Sequence, residues 1–274
     1  PCLFLKYAGN YMKWDCGHLY KISMPLKPFH VDLHIHTVLS PCGELEMGAP
    51  DIVLKARREG IEIIAVTDHN SALNVPAVLR AAQSNPVVIP GIEVQTIEDI
   101  HIVTLFRDYK TAEIFQNWLW KRMPFIHNRP EIFGDQLVIS EKNDILYEEE
   151  ILLVQGVGYS VDEVALEAKR QGGLVILAHI DRPSFSYPAV LGPIPSSFPV
   201  DALEISWRCF PNEVEALQAQ YPGRTFLRSS DSHWLKSLIA ENGSVLLLAE
   251  ASFDEIVLAL GKKKGRCVLA PWPN

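Results

Sequence analysis

Histidines and carboxylates lie at or just beyond the ends of five separate apolar segments of this 274-residue chain. In chain order they are His34 and His36, Asp68 and His69, Glu93, His179, and Asp231 and His233. Short, nearly continuous apolar runs such as 61–66 are typical of strands that are buried on both faces. In a barrel, the carboxyl ends of parallel strands converge on one mouth, where these side chains would meet. The pattern therefore favours an α/β barrel over a doubly wound sheet.

Strands alternate with helices along most of the chain, which is the order expected of βα units. From 29 to 36 the odd positions are apolar and the even positions polar, so His34 and His36 should point to one side of a strand. Further strands are predicted at 61–66, 87–94, 100–106, 174–178, 202–206, 225–229 and 244–249. Helices are predicted at 50–59, 76–82, 111–122, 161–171 and 253–260.

Two segments interrupt or precede this alternation. Residues 1–28 have no periodicity before a strand begins at Phe29, and we interpret them as an N-terminal extension. Residues 124–150 carry mixed signals and are interpreted as an insertion in the domain at 29–274. Within the insertion, 136–140 and 145–147 predict a hairpin that turns at 142–144.

Composition narrows the class of protein. The formal charge is −8, with 25 Lys and Arg against 33 Asp and Glu, which argues against strong binding to nucleic acid or anionic lipid. Five scattered cysteines favour neither a disulfide framework nor a zinc ribbon. No apolar run reaches the roughly 18 residues of a membrane span, and no secretory signal is evident. We expect a soluble, cytoplasmic protein without membrane contact that captures a small phosphorylated substrate locally, in an oligomeric state left open.

The polar residues indicate a multinuclear metal site. The imidazoles of His34 and His36, at the end of one strand and about 7 Å apart along the chain, can coordinate one ion. Imidazole and carboxylate together suit zinc, manganese or iron, and a carboxylate such as Glu93 can bridge two ions. We therefore predict two or three divalent ions. Ions of this kind activate water near neutral pH and neutralise phosphoryl charge, so hydrolysis of a phosphate ester is the expected reaction.

The motifs, taken in order, resemble those of the polymerase and histidinol phosphatase (PHP) superfamily. They are Asp32-Leu-His34-Ile-His36-Thr37, Thr67-Asp68-His69-Asn70, Gly91-Ile-Glu93, a lone His101, His179 after a Gly-Gly strand, and Asp231-Ser-His233. The resemblance extends from about Phe29 to the end of the chain. It implies a distorted (β/α)7 TIM-like barrel, a trinuclear metal centre and phosphoesterase activity.

The resemblance also implies a ligand set. The first ion would be held by His34, His36, Glu93 and Asp231. Glu93 would bridge to a second ion that is held by His101 and His179. The third ion would use His69 and His233, together with Cys42, which stands where the family has a histidine. A thiolate suits zinc or iron and is a poor ligand for magnesium, so Cys42 would shift the metal preference.

Two further residues are candidates for catalysis. Asp68 stands beside a ligand, as does Asp32, and either carboxylate can orient an imidazole, although Asp68 can equally be a helix N-cap. Arg182 follows His179 by three positions. Its guanidinium can clamp a phosphate in bidentate fashion, or alternatively pair with Asp181 or another surface carboxylate.

Two other functions remain open at this point. An amidohydrolase-type barrel also begins with His-x-His, but it normally adds a metal-bridging lysine for which this chain has no counterpart. A non-catalytic or proofreading domain attached to a polymerase would share the motifs, but this chain has neither polymerase segments nor a basic groove. The substrate depends on loops such as 183–199, which carry no motif.

Overall fold

The structure, a computed structural model, describes residues 25–269. Before residue 25 it describes three short strands that pair antiparallel: β1 (Lys6–Ala8), β2 (Tyr11–Lys13) and β3 (Leu19–Lys21). The prediction that regular structure begins only at Phe29 is therefore wrong. The rest of 1–24 lies outside the described residues, and the extension as a separate unit stays a prediction.

The remaining elements follow the predicted alternation closely. The strands are β4 (Lys27–Ile35), β5 (Ile63–Val66), β6 (Val87–Gln95), β7 (His101–Leu105), β8 (Leu137–Ile139), β9 (Ile145–Glu148), β10 (Leu174–Leu177), β11 (Ala202–Ser206), β12 (Phe226–Ser229), β13 (Ser244–Leu248) and β14 (Cys267–Leu269). The helices are α1 (Ala49–Arg58), α2 (Val75–Ala82), α3 (Tyr109–Leu119), α4 (Pro130–Phe133), α5 (Val161–Arg170), α6 (Tyr187–Leu191), α7 (Pro211–Gln220) and α8 (Phe253–Leu260). Short 3-10 turns lie at Trp120–Arg122, Leu235–Ser237 and Ala240–Asn242.

The predicted distorted barrel is confirmed. One sheet has the order β12-β11-β10-β7-β6-β5-β4-β13-β14. Past the end of β12, Ser232 bridges to Ile35 of β4 in parallel, and the His36 N–H donates to the Ser232 carbonyl at 3.0 Å. Seven strands, β4 to β7 and β10 to β12, thereby curl into a nearly closed barrel. β13 and β14 extend the sheet antiparallel beyond β4.

The strand β7 departs from the parallel arrangement, because it runs antiparallel to both β6 and β10. Only residues 96–100 join β6 to β7, and a parallel crossover needs a dozen or more. The reversal has a functional consequence. His101 opens β7 and pairs in register with Gln95 at the end of β6, so it lies on the same rim as the carboxyl ends of the parallel strands.

A bulge in β4 directs its histidines into the mouth. Val31 and Leu33 pack in a cluster to which all seven barrel strands contribute, whereas Ile35 packs in a second cluster shared with α1, α2, α3 and α5. The register of β4 on β5 shifts between Asp32 and Ile35. An unbroken strand would have placed the histidines on the side opposite Leu33. The extra residue changes the phase, so Leu33 fills the barrel and His34 also points inward.

The insertion contains the predicted hairpin, formed by β8 and β9. Asn143, in the predicted turn, has φ of +67°, a conformation that asparagine tolerates better than most residues. Helix α7 is missing from the prediction because its apolar pattern is weak and only Val214 is buried on it. Among the described residues, no helix is long and apolar enough to cross a membrane.

Candidate metal centre

The predicted ligands meet around one carboxylate, that of Glu93 at the end of β6. Glu93 is fully buried, and five imidazoles surround it. Its Oε1 lies 2.9 Å from His101 Nδ1, 3.2 Å from His34 Nε2 and 3.4 Å from His179 Nε2. Its Oε2 lies 3.0 Å from His69 Nδ1 and 3.3 Å from His36 Nε2. The two oxygens therefore face two different sets of imidazoles, as a bridging carboxylate would.

Asp231, just past β12, closes the other side of the cluster. Its Oδ1 lies 3.1 Å from His36 Nε2 and 3.4 Å from His34 Nε2. His233 stacks on His36 with ring centroids 4.0 Å apart. The Nε2 atoms of His34 and His36 are 3.2 Å apart, so one ion could contact both of them.

Three groups of donors are compact enough to hold an ion, each with its atoms within 4.8 Å of one another. They are His34, His36, Glu93 and Asp231; His69, Glu93 and His101; and His36, His69 and His233. The first group coincides with the ligand set that the resemblance implies for the first ion. The other two groups differ from the ligand sets that the resemblance implies for the second and third ions, because neither group contains His179 or Cys42.

Unpaired buried atoms indicate that the cluster is built for cations. Both oxygens of Glu93, both ring nitrogens of His179 and Asp231 Oδ1 are buried and lack a hydrogen-bond partner. His69 Nδ1 is in the same state despite its 3.0 Å approach to Glu93, because the orientation is not that of a hydrogen bond. Leaving such atoms unpaired costs roughly 1–3 kcal/mol each. Nitrogen and carboxylate donors suit zinc, manganese or iron, so the residues present fit the predicted metal ions.

The protonation of the cluster follows from burial and charge. Burial opposes a charge on His36, but the nearby carboxylates of Asp231 and Glu93 raise its pKa to about 9. For His69 and His233 burial dominates and lowers the pKa to about 4 and about 3. Despite burial, the surrounding histidines hold the pKa of Glu93 well below its usual range. Without metal, protons on His34 and His36, whose pKa values are raised, thus balance part of the carboxylate charge; with metal, the ions replace those protons.

Asp68 acts on the cluster through a serine. It is fully buried and accepts from the Thr37 N–H at 2.7 Å and from the Ser40 hydroxyl at 2.7 Å. Ser40 Oγ in turn lies 2.9 Å from His36 Nδ1. The side chain caps no helix, since α2 begins only at Val75. Asp68 therefore positions the His36 ring, whereas a direct role in the reaction stays a prediction.

Glu204 is not among the predicted site residues, although its carboxylate contacts His34 directly. It is buried in β11, and its Oε1 and Oε2 accept from His34 Nδ1 at 3.0 and 3.2 Å. Oε1 also accepts from the backbone N–H of His179 at 3.1 Å. Asp32, by contrast, accepts the backbone N–H groups of His34 and Ser230 and forms no hydrogen bond with an imidazole among the described residues. A lone carboxylate inside the apolar run Ala-Leu-Glu-Ile-Ser was the available signal for Glu204.

Arg182 lies at the mouth as predicted, but its partner is different from the one considered. Its Nη2 forms an ion pair with Asp231 Oδ2 at 2.7 Å, and the side chain is 38% exposed. The alternative pairing with Asp181 is wrong, because that carboxylate accepts from the N–H and hydroxyl of Ser206. Arg182 therefore touches a candidate ligand and faces solvent at the same time.

Cys42, like His179, is a predicted ligand that belongs to none of the three donor groups. The residue is exposed in the loop after β4. Although the residue as a whole is exposed, burial around its thiol and the carboxylates of Glu93 and Asp231 raise the pKa of that thiol to about 12. Its assignment to a third ion stays a prediction.

Two candidate ligands have a strained backbone. His179 has φ of +29° and Asp231 has φ of +48°, in the left-handed region that favours glycine. Conformations of this kind cost roughly 1–3 kcal/mol and are kept where surrounding contacts determine them. Here Glu204 holds the N–H of His179, and Arg182 holds the carboxylate of Asp231. Strained backbone that is held by such contacts is typical of a preorganised functional site.

A sequence model of the PHP domain matches residues 32–178, which is more than half of the chain. The chain belongs to the PHP domain family. Among curated proteins none matches the sequence. The chain therefore has the fold of a PHP-type metal-dependent hydrolase, with clusters of histidines and carboxylates that could hold metal ions.

Several solved structures have a fold similar to that of this chain. Lesion-specific endonuclease Q from Pyrococcus furiosus is 18% identical with a TM-score of 0.64, over 89% of this chain and 60% of that one. A complex of endonuclease Q with a 27-mer duplex carrying an abasic lesion at its active site is 17% identical with a TM-score of 0.64, over 88% and 58%. An amidohydrolase from Chromobacterium violaceum with bound sulfate is 15% identical with a TM-score of 0.51, over 89% and 98%. The chain spans about three fifths of the two endonuclease Q chains.

These structures correct the prediction about partners. We predicted a small phosphorylated substrate and no strong binding to nucleic acid. That prediction is wrong: endonuclease Q, a PHP-type protein with a similar fold, is a lesion-specific endonuclease and has been solved with a 27-mer duplex substrate. The error came from the net charge of −8, which averages over the whole surface and does not describe the mouth of the barrel.

Proposed function

We propose that this PHP protein is a metal-dependent phosphoesterase that hydrolyses a phosphodiester bond in a nucleic acid strand. The observation that carries the proposal is the position of the Glu93 carboxylate, which is buried among five imidazoles within 3.4 Å. A bridging carboxylate of this kind allows two ions to lie close together, which suits in-line displacement at phosphorus. The likeness to endonuclease Q favours nucleic acid as the carrier of the phosphate.

The ions would be held by Glu93 and the imidazoles around it together with Asp231, which also lines the neighbouring open cavity. Bound there, they would supply a water that ionises near neutral pH and would neutralise charge on the phosphoryl oxygens. The contribution of the chain itself is orientation. Glu204 and Ser40 hold the Nδ1 sides of His34 and His36, so that both Nε2 atoms face inward.

Arg182 is proposed to bind the substrate phosphate. It already contacts Asp231 at 2.7 Å, so a phosphate that approached this carboxylate's ions would come within reach of the same guanidinium. A guanidinium offers five N–H donors in a fork that matches phosphoryl oxygens. In an acidic chain, such a local cation is needed to hold an anionic backbone at the mouth.

The test compares substrates on one protein preparation loaded with manganese or zinc. Fluorescently labelled single-stranded DNA, a duplex with one abasic site and a chromogenic phosphate monoester would be assayed in parallel, with Glu93→Gln as the inactive control. We expect cleavage of an oligonucleotide that Glu93→Gln abolishes. Hydrolysis of the monoester alone would refute the nucleic acid substrate. Failure to cleave any phosphate ester at full metal loading would refute the proposal as a whole.

A further inference from the structure

An open cavity of about 460 Å³ lies beside the metal centre and shares two candidate ligands with it. Its walls include the candidate ligands Asp231 and His233 and, outside the ligand set, Trp207, Arg208 and Trp234. Trp207 directly follows β11, and Trp234 directly follows His233 beyond β12. Because β11 and β12 are neighbours in the barrel, the two indoles come from adjacent positions on the rim. We call this cavity the tryptophan pocket.

The side chains of Trp207 and Trp234 are not part of the hydrophobic core. Both are half-buried, and neither packs in the three apolar clusters formed by the described residues. Trp118 and Trp120, by contrast, pack against the main cluster, and Trp118 also stacks on Tyr159 with centroids 3.8 Å apart. Large aromatic rings kept half-exposed at a cavity wall offer planar surface for a ligand.

Cations accompany both rings. The Arg208 guanidinium lies 4.8 Å from the centroid of Trp207, and Lys236 Nζ lies 5.0 Å from the centroid of Trp234. Arg182 also lines the pocket. Aromatic rings interleaved with cations form the arrangement by which proteins hold single-stranded nucleic acid, with bases on the rings and phosphates near the charges.

The carboxylates that line the pocket already have hydrogen-bond or ion-pair partners within the protein. Asp181 accepts from the N–H and hydroxyl of Ser206, and Glu213 accepts from the N–H of Phe210. Asp231 is paired with Arg182. The lining thus presents cations and ring faces, with its negative charges already bonded, and this combination suits a planar base that is attached to a phosphate.

We propose that the tryptophan pocket binds an unpaired nucleobase next to the scissile phosphate, by stacking on Trp207 and Trp234. The proposal rests on the proposed function and adds a requirement, since a base in the pocket must have left its duplex or belong to a single strand. The cavity volume lies within the roughly 300–1,000 Å³ of ordinary ligand pockets. Stacking of a base on an aromatic side chain strengthens binding roughly five- to 150-fold.

The test measures binding without turnover, in buffer with chelator and at fixed ionic strength. Fluorescence anisotropy would give the Kd of a labelled ten-residue oligodeoxythymidylate and of an abasic strand with the same phosphates. We expect wild-type protein to bind the thymidylate at least fivefold more tightly than the abasic strand. Trp207→Ala and Trp234→Ala should each weaken thymidylate binding at least fivefold and leave the abasic strand within twofold.

Two controls keep the result interpretable. Tyr147→Ala removes a more exposed aromatic side chain, on the hairpin and outside the lining of the pocket, and should change neither Kd. Trp207→Phe keeps a stacking ring and should bind thymidylate within threefold of wild type, which guards against loss through misfolding. Equal binding of both strands by wild type, or equal losses on both strands in the alanine variants, would overturn the pocket even if the enzyme cleaves DNA. Base-dependent binding without any hydrolysis would instead overturn the proposed function and leave the pocket standing.

Discussion

Replacing Glu204 with glutamine tests whether a residue that touches no ion tunes the metal site. A carboxylate can only accept, so Glu204 fixes the proton of His34 on Nδ1 and leaves Nε2 for the ion. Glutamine keeps the shape but not the charge, and its amide N–H groups can face Nδ1 and favour the wrong tautomer. Hydrogen bonds to charged groups contribute roughly 1.5–3 kcal/mol and neutral ones roughly 0.5–1.5. The loss is therefore about 1–1.5 kcal/mol, which corresponds to roughly five- to tenfold in metal affinity.

Competition with a chromophoric chelator would measure the affinity for zinc or manganese. Glu204→Ala also removes the acceptor of the His179 N–H and should cost more, up to roughly a hundredfold as for other partners of metal-bound histidines. Glu213→Gln is the matched control, since this carboxylate lines the neighbouring pocket but bonds to the Phe210 N–H instead of a ligand. Affinities within twofold of wild type in both Glu204 variants would refute the reasoning and make Glu204 a residue of the fold alone.

Three other predictions concern residues of the cluster. Glu93→Gln should lower kcat more than tenfold, a barrier increase above about 1.4 kcal/mol, and initial rates that stay above a tenth of wild type would mean that Glu93 is not a bridge. Arg182→Ala should raise KM more than it lowers kcat, with an unchanged Tm, and an activity loss that only tracks a loss of Tm would return Arg182 to a structural role. In metal-free protein, the stabilisation from protonated His36 is fully present below pH 6.5 and lost as pH rises through about 9. Thermal scans should therefore show Tm falling across that window while metal affinity rises, and flat profiles of both would contradict this.

The strand-end pattern predicted the mouth of the barrel because ligands there must follow buried strands. The inward direction of His34 was predicted for an incomplete reason. Simple alternation places it opposite Leu33, and the bulge that reconciles the two is a property of how β4 pairs with β5. No glycine or proline marks that bulge in 31–36, so the sequence carries no local sign of it.

Other differences could have been anticipated from the sequence. The five residues at 96–100 are too short to return a chain to a parallel position, which already implies the reversal of β7. Glu204 interrupts an apolar strand, and a charge in such a place requires a partner. The net charge was the misleading signal, because it concealed Arg208 and Lys236 beside the indoles at the mouth.

The metal content of purified protein tests the central claim most directly. Elemental analysis after reconstitution with manganese or zinc should find at least two ions per chain, because three donor groups share the histidines around Glu93. Glu93→Gln, measured in the same way, should lose more than one ion, since a bridging carboxylate serves two and its loss leaves their charges to repel each other. Fewer than one ion per wild-type chain after reconstitution would contradict the metal centre itself.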